Sequence, residues 1–343
     1  MEDAHVAVPD LEGRMSGIGM FAVFDGHGGG EVAKFCAKHL PVKAKQGNPE
    51  DLSSLLTNLF EETDDMLRLP EYLQELPELR TKRGSMTSTD SDSDVSPTSP
   101  GILTALQASI QSEMSELRER GGTLSQENAS QLMMKMMLLR RLEAQQGIEG
   151  PPMPPSADNV GCTAVVALLS KSAVTVANAG DSRAVLCRNG QAIALSEDHK
   201  PNDDIERRRI EAAGSQVHEL PGGGGKVQYR VNGNLNLSRA LGDLEYKKRS
   251  DLLASQQAIC STPDLRSETL TEADEFIVLA CDGVWDVYSN QEVVDFVAEK
   301  INQNMSVKEI CEALVDSCLS HDPKETQGIG ADNITCVIVR FKW

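Results

Sequence analysis

The stretch "TAVVALLSKSAVTVANAGDSRAVLCRNGQAIAL", residues 163–195, decides the fold. Apolar runs of strand length alternate with short polar breaks. Ser170-Lys171 and Asn189-Gly190 read as hairpin turns, and Asn-Gly is the strongest short hairpin signal because both residues tolerate positive φ. The stretch therefore holds three or four antiparallel strands. Farther along, "EFIVLAC" (275–281) and "ITCVIVRF" (334–341) are continuous apolar runs, as expected of strands covered on both faces. After the first of them, Ser289-x-x-Glu292 and Ser306-x-x-Glu309 form capping boxes that start two helices. Val293, Val294, Val297 and Ile301 make a helical apolar stripe. A first helical section covers 29–75. Short antiparallel connections with helices outside predict an α+β fold, two packed antiparallel β-sheets flanked by helices: a β-sandwich with outer α layers.

The chain has 343 residues, 40% hydrophobic and 25% charged, a globular composition sized for one large domain or two ordinary ones. The formal net charge of −19 argues against broad binding to nucleic acid or anionic lipid, which needs Lys and Arg. No apolar run approaches the ~18 residues of a membrane helix. The start, "MEDAHVAVPD", lacks the basic and apolar regions of a signal peptide. Eight cysteines contain no CxxC pair, and several lie in apolar runs; buried free thiols in a reducing compartment are the plain reading. The expectation is an intracellular protein of cytoplasm or nucleus, with no nucleic-acid or membrane partner, and a monomer.

The middle differs from both ends. "SMTSTDSDSDVSPTSP" (85–100) cannot bury enough apolar surface to offset its chain entropy, and "GPPMPP" (150–155) reads as a linker. Between them, Leu103, Leu106, Ile110, Met114 and Leu117, then "QLMMKMMLLRRL" (131–142), carry helical spacing. Region 102–142 could dock a protein partner; a partly ordered insertion without chemistry is the plainer reading. The expected division is a catalytic core over 1–75 and 159–343, interrupted by an insertion over 76–158.

Three aspartates sit at strand ends. Asp25 follows "GMFAVF", Asp282 follows "FIVLAC", and Asp332 precedes "ITCVIV". In an antiparallel arrangement such ends meet at one edge of a sheet. A single Asp-Gly after a strand is more often a turn. Three, joined by Glu2-Asp3 and Asp181, are harder to dismiss, because clustered carboxylates repel unless a cation or protons neutralise them. Without His or Cys ligand spacing, the expected ions are hard and oxygen-loving, Mg²⁺ or Mn²⁺. Two such ions would activate a bridging water toward phosphorus. His27, two residues from Asp25, could protonate the leaving oxygen; alone it would read as a turn histidine. "CSTPDLR" (260–266) has the C-x5-R spacing of cysteine phosphatases but lacks a glycine to open a phosphate-wrapping backbone, so it reads as an ordinary loop. "DGHGGG" and "LPGGGGKVQYRVNG" (220–233) lack the Gly-Lys-Ser/Thr ending of a nucleotide P-loop; the second reads as a surface flap.

Ten stretches in order resemble the metal-dependent Ser/Thr protein phosphatases of type 2C. They are "MEDAH", "FAVFDGHGGGEVAKF", "GCTAVVALL", "VANAGDSRAVL", "SEDHKP", "RRRIEAAGSQV", "RVNGNLNLSRALGD", "STPDL", "VLACDGVWDV" and "GADNITCVIV". They span the chain except about 76–158. The resemblance implies hydrolysis of phosphoserine and phosphothreonine in proteins by a metal-bridging water. It implies that Asp25 bridges two metals and that Gly26 offers its backbone carbonyl, with Asp282 and Asp332 completing one metal's sphere and Glu2 supporting the other, directly or through water. Asp181 with Asp282 resembles a weaker third site, with Asp286 assisting. His27 matches the general acid, and Arg230 would help orient substrate. The insertion's position resembles the gamma-type branch. The family also has an Arg on a first strand shortly before "MED", where it grips the substrate phosphate. That strand and Arg are missing here, which implies weaker substrate binding and an exposed sheet edge. The alternative is a catalytically weakened pseudophosphatase serving as a scaffold.

Overall fold

Two antiparallel sheets face each other in the computed structural model, which describes residues 1–80, 109–110, 135, 156–221, 227–320, 322, 326 and 330–343. The chain divides into two compact units, Met1–Lys82 with Pro155–Trp343, and Arg83–Pro154. The low-complexity stretch 85–100, the linker 150–155 and most of the helical patterns in 102–142 lie outside the described residues.

The first unit opens with β1 (Ala4–Val8) and β2 (Gly19–Phe24), followed by a two-residue β3 (Gly26–His27). The decisive stretch supplies β5 (Ala164–Leu169), β6 (Ala173–Ala179), β7 (Arg183–Arg188) and β8 (Gln191–Ala194), after a short β4 (Gly161–Cys162). Both expected turns form: Ser170 caps the first, and Asn189 and Gly190 take φ of 50° and 72° in the second. Beyond them come β9 (Val217–Pro221), β10 (Val227–Val231), β11 (Leu241–Gly242), β12 (Asp264–Thr269), β13 (Asp274–Ala280) and β14 (Cys336–Arg340). One sheet runs β1-β2-β5-β6-β12, the other β14-β13-β7-β8. β9 and β10 pair as a hairpin, and β11-β4-β3 make a small third sheet. The glycine-rich stretch thus forms the hairpin, with its residues 222–226 outside the described set. Residues 264–269 of "CSTPDLR" and beyond are strand β12, where Arg266 pairs with Glu268.

Period-two alternation explains why these strands are apolar throughout. On β2, Phe21 and Val23 face the opposite sheet, whereas Met20, Ala22 and Phe24 face helices. On β13, Ile277 and Leu279 face the first sheet, whereas Phe276, Val278 and Ala280 face the other helical layer. α1 (Glu31–Ala44) and α2 (Leu52–Met66) cover the five-stranded sheet, with the short α3 (Pro70–Leu73) and α4 (Leu76–Leu79) packed beside them. α7 (Asn290–Asn302) and α8 (Val307–Cys318) cover the four-stranded sheet. Both capping boxes are present: Glu292 and Glu309 accept from the backbone of Ser289 and Ser306 at 2.8 Å. α5 (Asp204–Ala212) packs with the β9–β10 hairpin, and α6 (Asp282–Trp285) follows β13 directly. Each fully buried Leu or Val in these layers contributes about 1.5–3 kcal/mol. β1 is the end strand of its sheet.

Candidate active site

Ala280 is in register with Cys336, so the end of β13 meets the start of β14 and delivers Asp282 and Asp332 to one place. Asp25 arrives from the other sheet, at the end of β2. The three carboxylates therefore meet at the common end of two facing sheets, not along the edge of one as the strand pattern alone suggested. Alternation is the reason: the last two residues before Asp25, Val23 and Phe24, are buried on opposite faces, so β2 ends in the middle layer beside the other sheet. Asp181 lies in the turn where β6 of one sheet hands over to β7 of the other.

These residues line one cleft of about 240 Å³, together with Glu2, Gly26, His27, Gly28, Thr163, Asn236 and Leu237. Gly26 is there for lack of a side chain: a β-carbon on it would collide with the carbonyl of Glu2. The Glu2 amide donates to Asn333 Oδ1 at 2.5 Å, which fixes the chain start beside Asp332. Thr163 Oγ1 accepts from the Asp25 amide at 3.3 Å and bonds Ser182 Oγ at 2.7 Å, tying β5 and the Asp181 turn to Asp25.

Two predicted residues stand apart from the lining. Asp286 lies one helical turn beyond Asp282, its amide on the Asp282 carbonyl at 2.8 Å, close enough to Asp181 for their charges to interact. Arg230 is on β10, where its guanidinium donates to the Asn234 carbonyl at 2.5 Å and to Gln228 at 3.2 Å.

Electrostatics mark the carboxylate centre. Burial, then repulsion from Asp282, Asp3 and Asp181, pushes the Asp25 pKa far above the usual carboxylate range. Burial and Asp181 push Asp282 up in the same direction. Donor atoms of Asp25, Asp282 and Cys281 fall within 4.8 Å of one another. Burial raises the Cys281 thiol, whose Sγ is already engaged by the Thr335 amide at 3.2 Å and the Asn333 carbonyl at 3.5 Å, and a hard cation prefers the carboxylate oxygens beside it. Asp3, not assigned a role by the sequence, belongs here too. Its Oδ2 accepts from Thr335 at 2.7 Å, and its buried Oδ1 has no hydrogen-bond partner. Uncompensated buried oxygens are what a hard cation satisfies, so the residues present fit Mg²⁺ or Mn²⁺. Asp181 differs, because the Lys200 ammonium donates to its Oδ2.

His27 also has a partner that the sequence did not reveal. Its Nε2 lies 2.6 Å from Asp243 Oδ2. Burial opposes the ring's charge, but Asp243, Asp181 and Glu2 outweigh it and raise the His27 pKa above its ordinary value.

The Protein phosphatase 2C family model matches residues 1–89 and 107–326. The chain belongs to the protein phosphatase 2C family. It is 35% identical over 345 aligned residues to "Probable protein phosphatase 2C 21" of Arabidopsis thaliana, covering 100% of this chain and 83% of that protein. A second relative, "Protein phosphatase ppm-1.G" of Caenorhabditis elegans, is 50% identical over 184 residues, 54% of this chain and 35% of its own. Among solved structures, a Toxoplasma gondii serine-threonine phosphatase 2C aligns over 99% of this chain and 90% of its own, with TM-score 0.59 at 22% identity. That likeness shows the shared fold of antiparallel sheets flanked by helices. As a type 2C member the protein is a serine/threonine phosphatase, of a family that acts on phosphoproteins and depends on Mg²⁺ or Mn²⁺. Among the described residues, no helix is long and apolar enough to cross a membrane.

Proposed function

We propose that this type 2C chain hydrolyses phosphoserine and phosphothreonine in proteins at the cleft between its sheet ends, using two divalent cations. The observation that carries the reading is the convergence of Glu2, Asp25, Gly26, His27, Asp282 and Asp332 on that cleft. Asp25 would bridge the pair, with the Gly26 carbonyl and Glu2 on one ion and Asp282 and Asp332 on the other. When bound, Mg²⁺ or Mn²⁺ polarises phosphoryl oxygens and makes a water acidic enough to attack phosphorus near neutral pH. The chain supplies the rest. Asp3 keeps a free acceptor behind the carboxylates, and Thr163 fixes the backbone of Asp25. His27 gives a proton to the leaving seryl or threonyl oxygen. Lys200 already neutralises Asp181, so a third cation at Asp181 and Asp282 competes with an ammonium and binds weakly; Asp286 adds charge behind them. Arg230 orients substrate from the rim, through the loop that runs from Asn234 to the cleft residues Asn236 and Leu237.

Phosphoserine-peptide hydrolysis tests the reading in Mn²⁺, in EDTA and in Asp282→Asn. Expected is Mn²⁺-dependent turnover that EDTA abolishes and that the variant lowers by about a hundredfold or more. Metal binding without turnover in the wild-type chain would mark a scaffold instead.

A further inference from the structure

His27 and Asp243 are 216 positions apart, yet the small third sheet is arranged to join them. Its central strand, β4, pairs with β3 on one side and with β11 on the other. In register, His27 lies opposite Gly161, and so does Gly242 from the other side. The residue between the two side chains is therefore a glycine. A β-carbon at Gly161 would sit 2.8 Å from His27 Nε2 and would collide with Asp243 Oδ2. The hydrogen bond crosses the ladder through the space that glycine leaves open.

The Asp243 backbone is held in a costly conformation to reach that place. Its φ and ψ are 49° and 42°, the left-handed region that side chains with a β-carbon avoid. Its amide donates to the Val160 carbonyl at 3.0 Å. Gly242 before it has φ of 78°, and a β-carbon there would sit 2.5 Å from the same carbonyl. The Gly242 amide donates to Asp64 Oδ1 at 2.8 Å, and Asp64 is paired with the buried Lys247, which also holds the Ala240 carbonyl. The Asp243 carboxylate is 3% exposed and that of its partner ring 26%, so Asp243 stands behind His27 and does not line the cleft.

We propose that Asp243 is the positioning residue of the phosphatase's acid: it accepts a hydrogen bond from His27 Nε2–H, fixes the ring's rotation and leaves Nδ1 as the atom that serves the leaving group. The proposal rests on His27 being the general acid. In that step the electron pair of the breaking P–O bond passes to the seryl oxygen. The oxygen takes the Nδ1 proton and departs as the alcohol. The ring, now neutral, keeps Nε2–H on Asp243 and regains its Nδ1 proton from solvent. The attacking water forms the new P–O bond and gives its proton to solvent.

Leaving-group dependence separates positioning from general damage. p-Nitrophenyl phosphate releases a stable anion that needs little protonation, whereas a phosphoserine peptide releases an alkoxide that needs it fully. In the Mn²⁺-loaded protein, His27→Gln and Asp243→Asn should each lower kcat on the peptide by about a hundredfold, with a far smaller loss on p-nitrophenyl phosphate and KM nearly unchanged. The double variant should be no worse than His27→Gln alone. Asp243→Asn that leaves the peptide's kcat within about twofold of wild type, or lowers both substrates equally, overturns the proposal while the acid role of His27 stands. His27→Gln that lowers both equally overturns the acid role itself, and the proposal with it. A second measurement needs no Asp243 variant. ¹⁵N–¹H spectra of the histidine-labelled, metal-free wild-type chain should show a slowly exchanging Nε2–H that disappears in His27→Gln; its absence overturns the proposal.

Discussion

At Gly26 a β-carbon would run into the carbonyl of Glu2, and at Gly30 it would crowd the Glu2 backbone at 3.1 Å. These positions let the chain start lie flat against the loop after β2, which is how Glu2 enters the cleft. Gly26→Ala should therefore push Glu2 outward and weaken Mn²⁺ binding by about tenfold or more, read by calorimetry. Unchanged affinity would mean that neither Glu2 nor the Gly26 carbonyl contributes. Asp25, Asp282 and Asp332 were legible because each follows or precedes a run of buried-strand residues, and three such carboxylates exceed what turns alone require. Asp3 was legible only as one carboxylate of the Glu2-Asp3 pair, without a role of its own, and Lys200 and Asp243 were not legible as site residues. Their roles depend on partners 332, 19 and 216 positions away that only the folded chain brings near. The single hint for Asp243 was its place in "LGD", a glycine-aspartate step like that of Asp181 but without a long strand before it.

Among the elements, the strands, both hairpin turns and both capping boxes could be read from sequence, because each is specified within a few residues. Which sheet each strand joins could not, since β2 and β13 look alike in sequence yet belong to opposite layers. The polar tie of α5 was likewise hidden. Glu206 on that helix accepts from Arg209 at 2.7 Å, from Ser238 at 2.6 Å and from Arg239 at 2.8 Å, while Arg239 reaches Asp264 at the start of β12. Burial disfavours the Glu206 charge, but Arg239 and Arg209 outweigh it and hold the pKa at about 2. The unfolded value is about 4.3. A carboxylate depressed in this way stabilises fully above its unfolded pKa, and loses the contribution as pH falls through the folded one. Glu206→Gln should cost about 3 kcal/mol at pH 7 by removing the carboxylate charge that Arg209 and Arg239 share, although Asp264 and backbone carbonyls still hold both groups. The gap from wild type should narrow between about pH 4 and pH 2. Urea midpoints in EDTA across that range check this; a gap independent of pH would place the stabilisation in packing, not charge.

For the whole molecule, two sheets, each sealed by helices on its outer face, leave their shared end as the place where strand-terminal carboxylates can collect, with the Lys200 ammonium on Asp181 alone. The hydrophobic layers hold Asp25 and Asp282 together although their charges repel, and the protein is thereby built to need a cation. On the proposed reading, Asp25 joins two metal ions in that cleft. Electron paramagnetic resonance of the chain titrated with Mn²⁺ tests it most directly. Expected is a spin-coupled signal reaching its maximum at two Mn²⁺ per chain, replaced in Asp25→Asn by isolated-ion signal or none. An uncoupled spectrum in the wild-type chain, or a coupled one that survives Asp25→Asn, would contradict it.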